Sequence, residues 1–299
     1  MSAPERLVSI LMCTYRRPQV AEALRSILAQ EPPPGVALEL VVADNDAEPS
    51  GRAAVAAATA DAPFRVTYVH APKGNISIAR NACLDQATGD LVAFVDDDEI
   101  AAPDWIAKLV ERRDATAADG IFGPALARYP ETAPDWMREQ DHHSNVPVPR
   151  DGAVRTGHTC NALIVWKGRP WAGERFDLAR GVSGGEDTEF FFRLARLGAR
   201  YEMTLEAKVW EPVESSRLSY AWIRRRKFRM GQSYASVATG LPARARLFAT
   251  AGAKSAYCHL RGALGRDEGG RAFWLLRGAM HAGVCAGCLG ATGIAIYGK

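Results

Sequence analysis

Along the first hundred residues, short apolar runs alternate with amphipathic stretches. Residues 8–12 are almost wholly apolar and predict a buried strand, closed by the polar Cys13-Thr14-Tyr15-Arg16-Arg17. Pro18 suits the first turn of a helix, and Val20, Leu24, Ile27 and Leu28 recur on one face of a helix reaching about residue 30. A Pro-rich stretch at 32–35 breaks it. Residues 38–42 predict a second strand ending at Asp44-Asn45-Asp46, followed by an Ala-rich helix at 52–60 and a strand at 65–69. A loop at 71–75, a helix at 78–87, a turn at Thr88-Gly89-Asp90 and an apolar strand at 91–95 complete the series. Strands alternating with helices predict a parallel sheet with helices on its faces. Ligands of such sheets bind beyond the carboxyl ends of the strands. Three polar clusters stand there: Thr14-Tyr15, Asp44-Asn45-Asp46 and Asp96-Asp97-Asp98.

The pattern from 100 to 214 is less regular. Residues 103–113 read as helix, 120–127 as extended chain, 129–150 as a loop rich in Pro, His and Trp, and 160–166 as a strand. Long loops in compact domains tend to be functional or mobile. Gly184-Gly185 precedes a strongly periodic helix over 186–197, stopped at Gly198. No internal repeat is evident.

Composition narrows the class. A chain of 299 residues, 47% hydrophobic and 24% charged, can bury a substantial core, which excludes a disordered or collagen-like protein. The net charge of +3 hides an asymmetry. Residues 1–214 hold 32 of the 34 acids against 23 bases, a net of −9; residues 215–299 hold 14 bases against Asp267 and Glu268, a net of +12. The six cysteines are scattered and the polar start, residues 1–6, carries no signal peptide, so free cytosolic thiols are expected. Cys285 and Cys288 form a lone CxxC, for which chance placement on an apolar helix is favoured over zinc or redox chemistry.

Three segments carry candidate chemistry. In Phe94-Val95-Asp96-Asp97-Asp98-Glu99, an apolar strand ends in carboxylates that would repel one another without a cation. Hard oxygen ligands at this density suit Mg²⁺ or Mn²⁺ held together with substrate phosphates; the alternative is a solvated acidic turn. In Ser183-Gly184-Gly185-Glu186-Asp187-Thr188-Glu189, the acids fall in a first helical turn, where Ser183 and Glu186 fit a capping box and the macrodipole favours anions. The functional alternative is that one carboxylate takes a proton from an attacking hydroxyl. In residues 75–82, Arg80 could pair with a diphosphate or be an ordinary surface arginine.

Together these segments resemble the inverting family 2 glycosyltransferases with the GT-A fold, most closely the glucosyltransferases of succinoglycan-type exopolysaccharide synthesis. The resemblance spans nearly the whole chain: residues 13–18, 42–50, 75–85 and 94–99, then Thr159-Cys160-Asn161-Ala162, residues 184–189, Trp210-Glu211-Pro212-Val213, His281-Ala282-Gly283 and Tyr297-Gly298. It implies a GT-A domain over 1–214, with a donor half to about residue 100 and an acceptor half beyond, and a helical basic region over 215–299.

The resemblance also implies roles. Asp96 and Asp98 are the outer carboxylates of the family's DxD motif, gripping donor ribose and metal-diphosphate, with Asp98 the metal ligand and Asp97 between them. Asp187 matches the general base, with Glu186 assisting or binding acceptor. Thr14, Tyr15 and Asp44 stand where the family holds the nucleotide base, and Arg80 where it approaches the donor. Asn45 replaces an acid at the second position of the strand-end pair. The implied reaction moves a hexose, glucose from a UDP-sugar, onto a saccharide linked to a polyprenyl diphosphate lipid, with Mg²⁺ or Mn²⁺. A nucleotidyltransferase would share the metal-diphosphate site but not the Gly-Gly-Glu-Asp segment, and a silent carbohydrate-binding protein would need neither Asp98 nor Asp187.

Residues 222–229 mix cations with aromatics. No nucleic-acid module accompanies them, so the reading is no nucleic acid but attachment to an anionic membrane surface, with a plain solvated face as the alternative. Residues 282–298 are uncharged but only 17 long with five glycines, too short to span. Their Gly283–Gly287 spacing reads as chance. The expected location is cytoplasmic, peripheral on the inner face of the cytoplasmic membrane.

Overall fold

The computed structural model describes residues 6–17, 19–149, 152–182 and 184–291. Pro18, Ser183 and the end of the uncharged stretch, Tyr297-Gly298 included, lie outside them. The first half follows the predicted alternation: β1 (Arg6–Thr14), α1 (Val20–Leu28), β2 (Val36–Asp44), α2 (Arg52–Ala58), β3 (Arg65–His70), α3 (Ile76–Gln86) and β4 (Leu91–Asp96). Helix α3 starts two residues earlier than the pattern suggests. The Asn75 side chain caps it, accepting from the amides of Ser77 and Ile78.

The second half is more broken. It runs β5 (Ile100–Ala101), α4 (Trp105–Thr116), β6 (Gly120–Phe122), β7 (Ala125–Arg128), α5 (Asp135–Glu139), β8 (Asn161–Val165), α6 (Glu186–Arg196), β9 (Tyr201–Met203) and β10 (Val209–Pro212). The extended chain expected over 120–127 is two strands in different sheets, parted at Gly123-Pro124, and the expected loop at 129–150 contains α5.

Seven strands form the main sheet in the order β3-β2-β1-β4-β8-β6-β9. β1 pairs in parallel with β2 and β4, and β2 with β3, whereas β8 runs antiparallel to both β4 and β6. Alternate residues of each central strand serve opposite faces, as strand geometry dictates. Val8, Ile10 and Met12 join Val20, Leu24, Ile27 and Trp105 on one side. Leu11, Val92 and Phe94 join Ala79, Cys83, Phe190 and Phe191 on the other. A small sheet, β5-β10-β7, adjoins the strand ends.

Asn161, part of the Thr159–Ala162 segment, is buried where the two sheets meet. Its amide donates to the carbonyls of Pro124 and Ala207, and its oxygen accepts from the Trp105 indole. A buried amide with these bonds satisfied is a structural tie.

Three helices follow: α7 (Tyr220–Tyr234), α8 (Leu241–Ala263) and α9 (Glu268–Cys288). Helix α9 packs against both α7 and α8, and Met137, Ile223, Ala272 and Leu276 form a small core joining α5, α7 and α9. The Gly283–Gly287 spacing, expected to be incidental, has a packing role. A Cβ at Gly283 would overlap the Phe228 carbonyl, and one at Gly287 would press on Gln232 and Ala235, so these glycines let α9 ride close on α7. Among the described residues no helix is long and apolar enough to cross a membrane. All six cysteines are free.

Candidate active site

The carboxyl ends of β1, β2 and β4 converge, and their loops are stitched together. The Thr14 hydroxyl donates to Asp97 Oδ2 at 2.7 Å. Arg16, in the left-handed region at φ 49°, reaches both oxygens of Asp46, and its guanidinium lies 5.1 Å from the Tyr15 ring centroid. Asp44 is fully buried and accepts from the Tyr68 hydroxyl and the Gly51 amide, each at 2.7 Å. Asn45 Oδ1 accepts from the Asn75 amide at 3.2 Å, so an uncharged side chain here joins the loops after β2 and β3.

Around Asp96–Glu99, acids are interleaved with arginines. Arg17 lies 3.1 Å from Asp98, 3.5 Å from Asp97 and 3.1 Å from Glu214. Arg217 pairs with Glu211 and lies 3.8 Å from Asp98. Glu99 folds back to accept from the Asp96 amide at 2.8 Å. Loss of surrounding water pushes the Asp96 carboxyl up to about 7 and Asp97 up to about 6; neighbouring carboxylates add to this, and Arg80 and Arg17 respectively oppose it. Burial and then nearby acids also raise Glu99 and Glu211, the latter despite Arg217. A small cavity of about 50 Å³ lies beside Asp98, lined also by Arg17, Ile100, Pro212 and Glu214.

Helix α6 brings the second acidic pair to this cluster. Phe190 stacks on Phe176 with centroids 4.0 Å apart and Phe191 meets Phe122 edge-on at 4.9 Å, which fixes the helix on the sheet. Its N-cap is Gly185, so Glu186 and Asp187 open the helix; the expected capping box rests on Ser183, which lies outside the described residues. Gly184 and Gly185 both have φ near +83°, and a Cβ at either would overlap Arg229 or Ser233 of α7. Only glycine suits that turn.

Arg80 is no surface residue. It is 8% exposed, pairs with Glu186, lies 3.8 Å from Asp96 and passes over the Phe176 ring. It thus links the two acidic segments. Burial, with Asp187 adding repulsion, still raises Glu186 above the usual carboxylate value, and among the described residues Glu186 Oε2 has no hydrogen-bond partner. Asp187 differs. Burial opposes its ionisation, but His158 and Arg80, with the Thr188 amide at 2.6 Å, hold it below the ordinary range.

His158, Arg17, Glu211 and Arg217 were not singled out by sequence reasoning. Glu211 lies in a segment that carried the resemblance, and its charge was the available signal; His158 had none, because it comes from an irregular stretch before β8. The carboxylates of Asp96 and Asp98 are hard oxygen donors of the type that suits a divalent cation. Among the described residues no three His, Cys, Asp or Glu side chains converge to hold one. A cation at Asp96 and Asp98 would therefore need substrate phosphates to complete its shell.

Residues 9–167 match the Glycosyl transferase family 2 domain. The chain is 46% identical over 296 residues to the succinoglycan biosynthesis protein ExoM of Rhizobium meliloti (strain 1021), covering 97% of this chain and 96% of that protein. Among solved structures it is similar to the mannosyltransferase PcManGT of Pyrobaculum calidifontis in complex with GDP-Man and Mn²⁺, with a TM-score of 0.64, 18% identity, and coverage of 95% of this chain and 87% of that one. It is also similar to S. aureus TarS 1–349 in complex with UDP-GlcNAc, with a TM-score of 0.54, 14% identity, and coverage of 95% and 92%. These likenesses bear out the GT-A fold.

Proposed function

The chain belongs to the family 2 glycosyltransferases, and from that premise we propose that it transfers glucose from UDP-glucose, with inversion to a β-linkage, to a saccharide acceptor in exopolysaccharide synthesis. The observation that carries this reading is the Arg80 bridge, which sets the Glu186-Asp187 helix start against the Asp96–Asp98 strand end. One segment can hold a nucleotide diphosphate while the other addresses an incoming hydroxyl.

Asp187 is ionised and fixed on both oxygens, and it is the group assigned to remove the acceptor proton. As the acceptor oxygen bonds to the anomeric carbon, the bond from that carbon to the diphosphate oxygen breaks and the nucleoside diphosphate leaves. One base and no covalent intermediate give inversion. A divalent cation at Asp96 and Asp98 would neutralise charge on the departing diphosphate. Thr14, Tyr15, Asp44 and Asn45 shape the pocket for the base. Glu186, held by Arg80, supports Asp187.

The proposed acceptor is an oligosaccharide on a polyprenyl diphosphate lipid, met at the cytoplasmic face of the membrane. Helix α8 supports this. Tyr257, Leu260 and Leu264 are exposed on one side, Arg246, Lys254 and Arg261 lie along the same stretch, and residues 241–266 contain no acid. The basic segment 222–229 is less free than expected: of its five cations only Arg224 and Arg225 are exposed.

The test is a screen of UDP-, GDP- and dTDP-sugars for metal-dependent hydrolysis, followed by transfer to candidate acceptors. UDP-glucose should be turned over, and Asp187→Asn should slow transfer by about 10²–10⁴-fold with donor binding retained. Hydrolysis of a GDP- or dTDP-sugar instead would replace the donor assignment. Near-normal transfer by the variant would remove Asp187 as base.

A further inference from the structure

Helix α7 was read from sequence as a surface element, yet it runs along the edge of the active site. Ser219 caps its start, accepting from the Trp222 amide. Gly231 abuts α9 so closely that a Cβ would overlap the Met280 carbonyl, and on the other side Arg229 and Ser233 cover Gly184 and Gly185. The helix is thus fixed between α9 and the turn that presents Glu186 and Asp187.

Two guanidiniums share the Trp222 indole. Arg217 lies 5.7 Å from the ring centroid and Arg226 5.4 Å. Arg217 is anchored to Glu211 and stands 3.8 Å from Asp98, so the indole lies at the border of the acidic cluster. The other arginines of the cluster are paired with acids: Arg17 with Asp97, Asp98 and Glu214, and Arg80 with Glu186 and Asp96. Arg226 differs. It is half-buried, and among the described residues no carboxylate pairs with it and no group accepts a hydrogen bond from it. Its charge is nonetheless felt on both sides of the cleft, disfavouring the imidazolium of His158 and favouring the ionised form of Glu211.

A cation held on a rigid helix, facing a site and left without an anion, is prepared for an anionic ligand. Guanidiniums bind phosphate oxygens through charge-assisted, often bidentate hydrogen bonds. Such donors contribute most where negative charge grows during reaction. We propose that Arg226 binds the diphosphate of the nucleotide-sugar donor, making helix α7 a wall of the donor site. This rests on the reading of the donor as a nucleoside diphosphate sugar. It also accounts for part of the C-terminal basicity without a membrane.

The test is calorimetric titration of the full chain with UDP, UMP and inorganic pyrophosphate in the presence of Mn²⁺, comparing wild type with Arg226→Gln, Arg226→Lys and the exposed neighbour Arg225→Gln. Arg226→Gln is expected to weaken UDP and pyrophosphate about tenfold or more while UMP changes little, so that the preference for UDP over UMP collapses. Arg226→Lys should recover part of it, and Arg225→Gln should match wild type. If Arg226→Gln does not fold, the Lys variant carries the test, with a reduced UDP-to-UMP preference expected. An unchanged preference in a folded Arg226 variant overturns the proposal, as does equal weakening by Arg225→Gln. Pyrophosphate binding that depends on Arg226, in a protein whose sugar-nucleotide screen turns over a GDP-sugar and not UDP-glucose, would overturn the UDP assignment and leave the arginine's role standing. A wild type that binds none of the three overturns both.

Discussion

His158 Nδ1 donates to Asp187 Oδ2 across 3.0 Å, and the opposite oxygen of Asp187 accepts from the Thr188 amide. The proposed general base therefore has a fixed orientation and a titrating partner. Burial and the Arg226 charge work against the imidazolium, but Asp187 outweighs them and raises His158 above its usual value of about 6.5. Glu186 adds to that rise. While His158 is charged, Asp187 is a poor proton acceptor; once it is neutral, Asp187 is more basic. Turnover should rise with pH through a point above about 6.5, and His158→Gln should flatten that limb while keeping the side-chain hydrogen bond. The stability arm has the opposite sign: the raised His158 contributes fully below its unfolded value, and that contribution is lost as pH rises through its folded value. Rate–pH profiles and melting curves of both proteins check the two signs. An unaltered rate profile in His158→Gln would show that His158 does not tune the base.

Arg80 and Glu186 form a buried pair, with side chains 9% and 7% exposed. Breaking one side of such a pair strands the other charge, typically at about 3–5 kcal/mol. Arg80→Met should lower the melting temperature markedly, and adding Glu186→Gln should restore part of the loss because the Glu186 charge is then not left without its partner; Asp96 and Asp187 still lose Arg80, so the recovery is partial. A melting temperature unchanged in Arg80→Met would mean that the pair contributes nothing to folding.

Asp98 is shared between Arg17 and Arg217, whose charges a divalent cation would have to displace or complement. Asp98→Ala should weaken Mn²⁺-dependent UDP binding by at least about tenfold because the cation loses a ligand, and should not weaken metal-free UDP binding, because Arg17 and Arg217 then have one acid fewer beside them. Titrations with and without chelator separate the two. Equal binding of wild type and variant in Mn²⁺ would remove Asp98 as a ligand.

The parts of this molecule legible in its sequence are those with long, one-sided patterns. β1, β2 and β4 are apolar runs serving two faces of a covered sheet, and α6 has strong helical periodicity. β5, β9 and β10 have two to four residues each, too few to show a period, and are set by pairing with distant partners. The same holds for the site. Asp96–Asp98 declare themselves because three like charges follow a buried strand. The Asp187–His158 contact spans 29 positions and exists only because the start of α6 and the segment before β8 come to the same place. The roles of Thr14, Tyr15 and Asp44 came from resemblance, and Asp44 is fully buried, accepting from the Gly51 amide and from the Tyr68 hydroxyl of β3. The charge partition near residue 214 pointed to a basic region, but only the folded chain separates Arg226, facing the site, from the exposed cations of α8.

That separation makes the membrane reading specific. Leu260 on α8 and Leu264 just past its end are 61% and 70% exposed, and Arg246, Lys254 and Arg261 can meet anionic headgroups. Each cation near such a surface adds roughly 1 kcal/mol, and each leucine roughly 1.5–3 kcal/mol if fully buried in lipid. The wild type should float with phosphatidylglycerol vesicles at low salt and less so at high salt, where screening is short-ranged. Leu260→Glu with Leu264→Glu should abolish flotation without altering UDP binding, because neither side chain touches the active site. Arg224→Gln with Arg225→Gln should leave most of the flotation intact. If the α7 pair abolishes it and the α8 pair does not, attachment runs through α7; if wild type ignores anionic vesicles altogether, the surface reading fails.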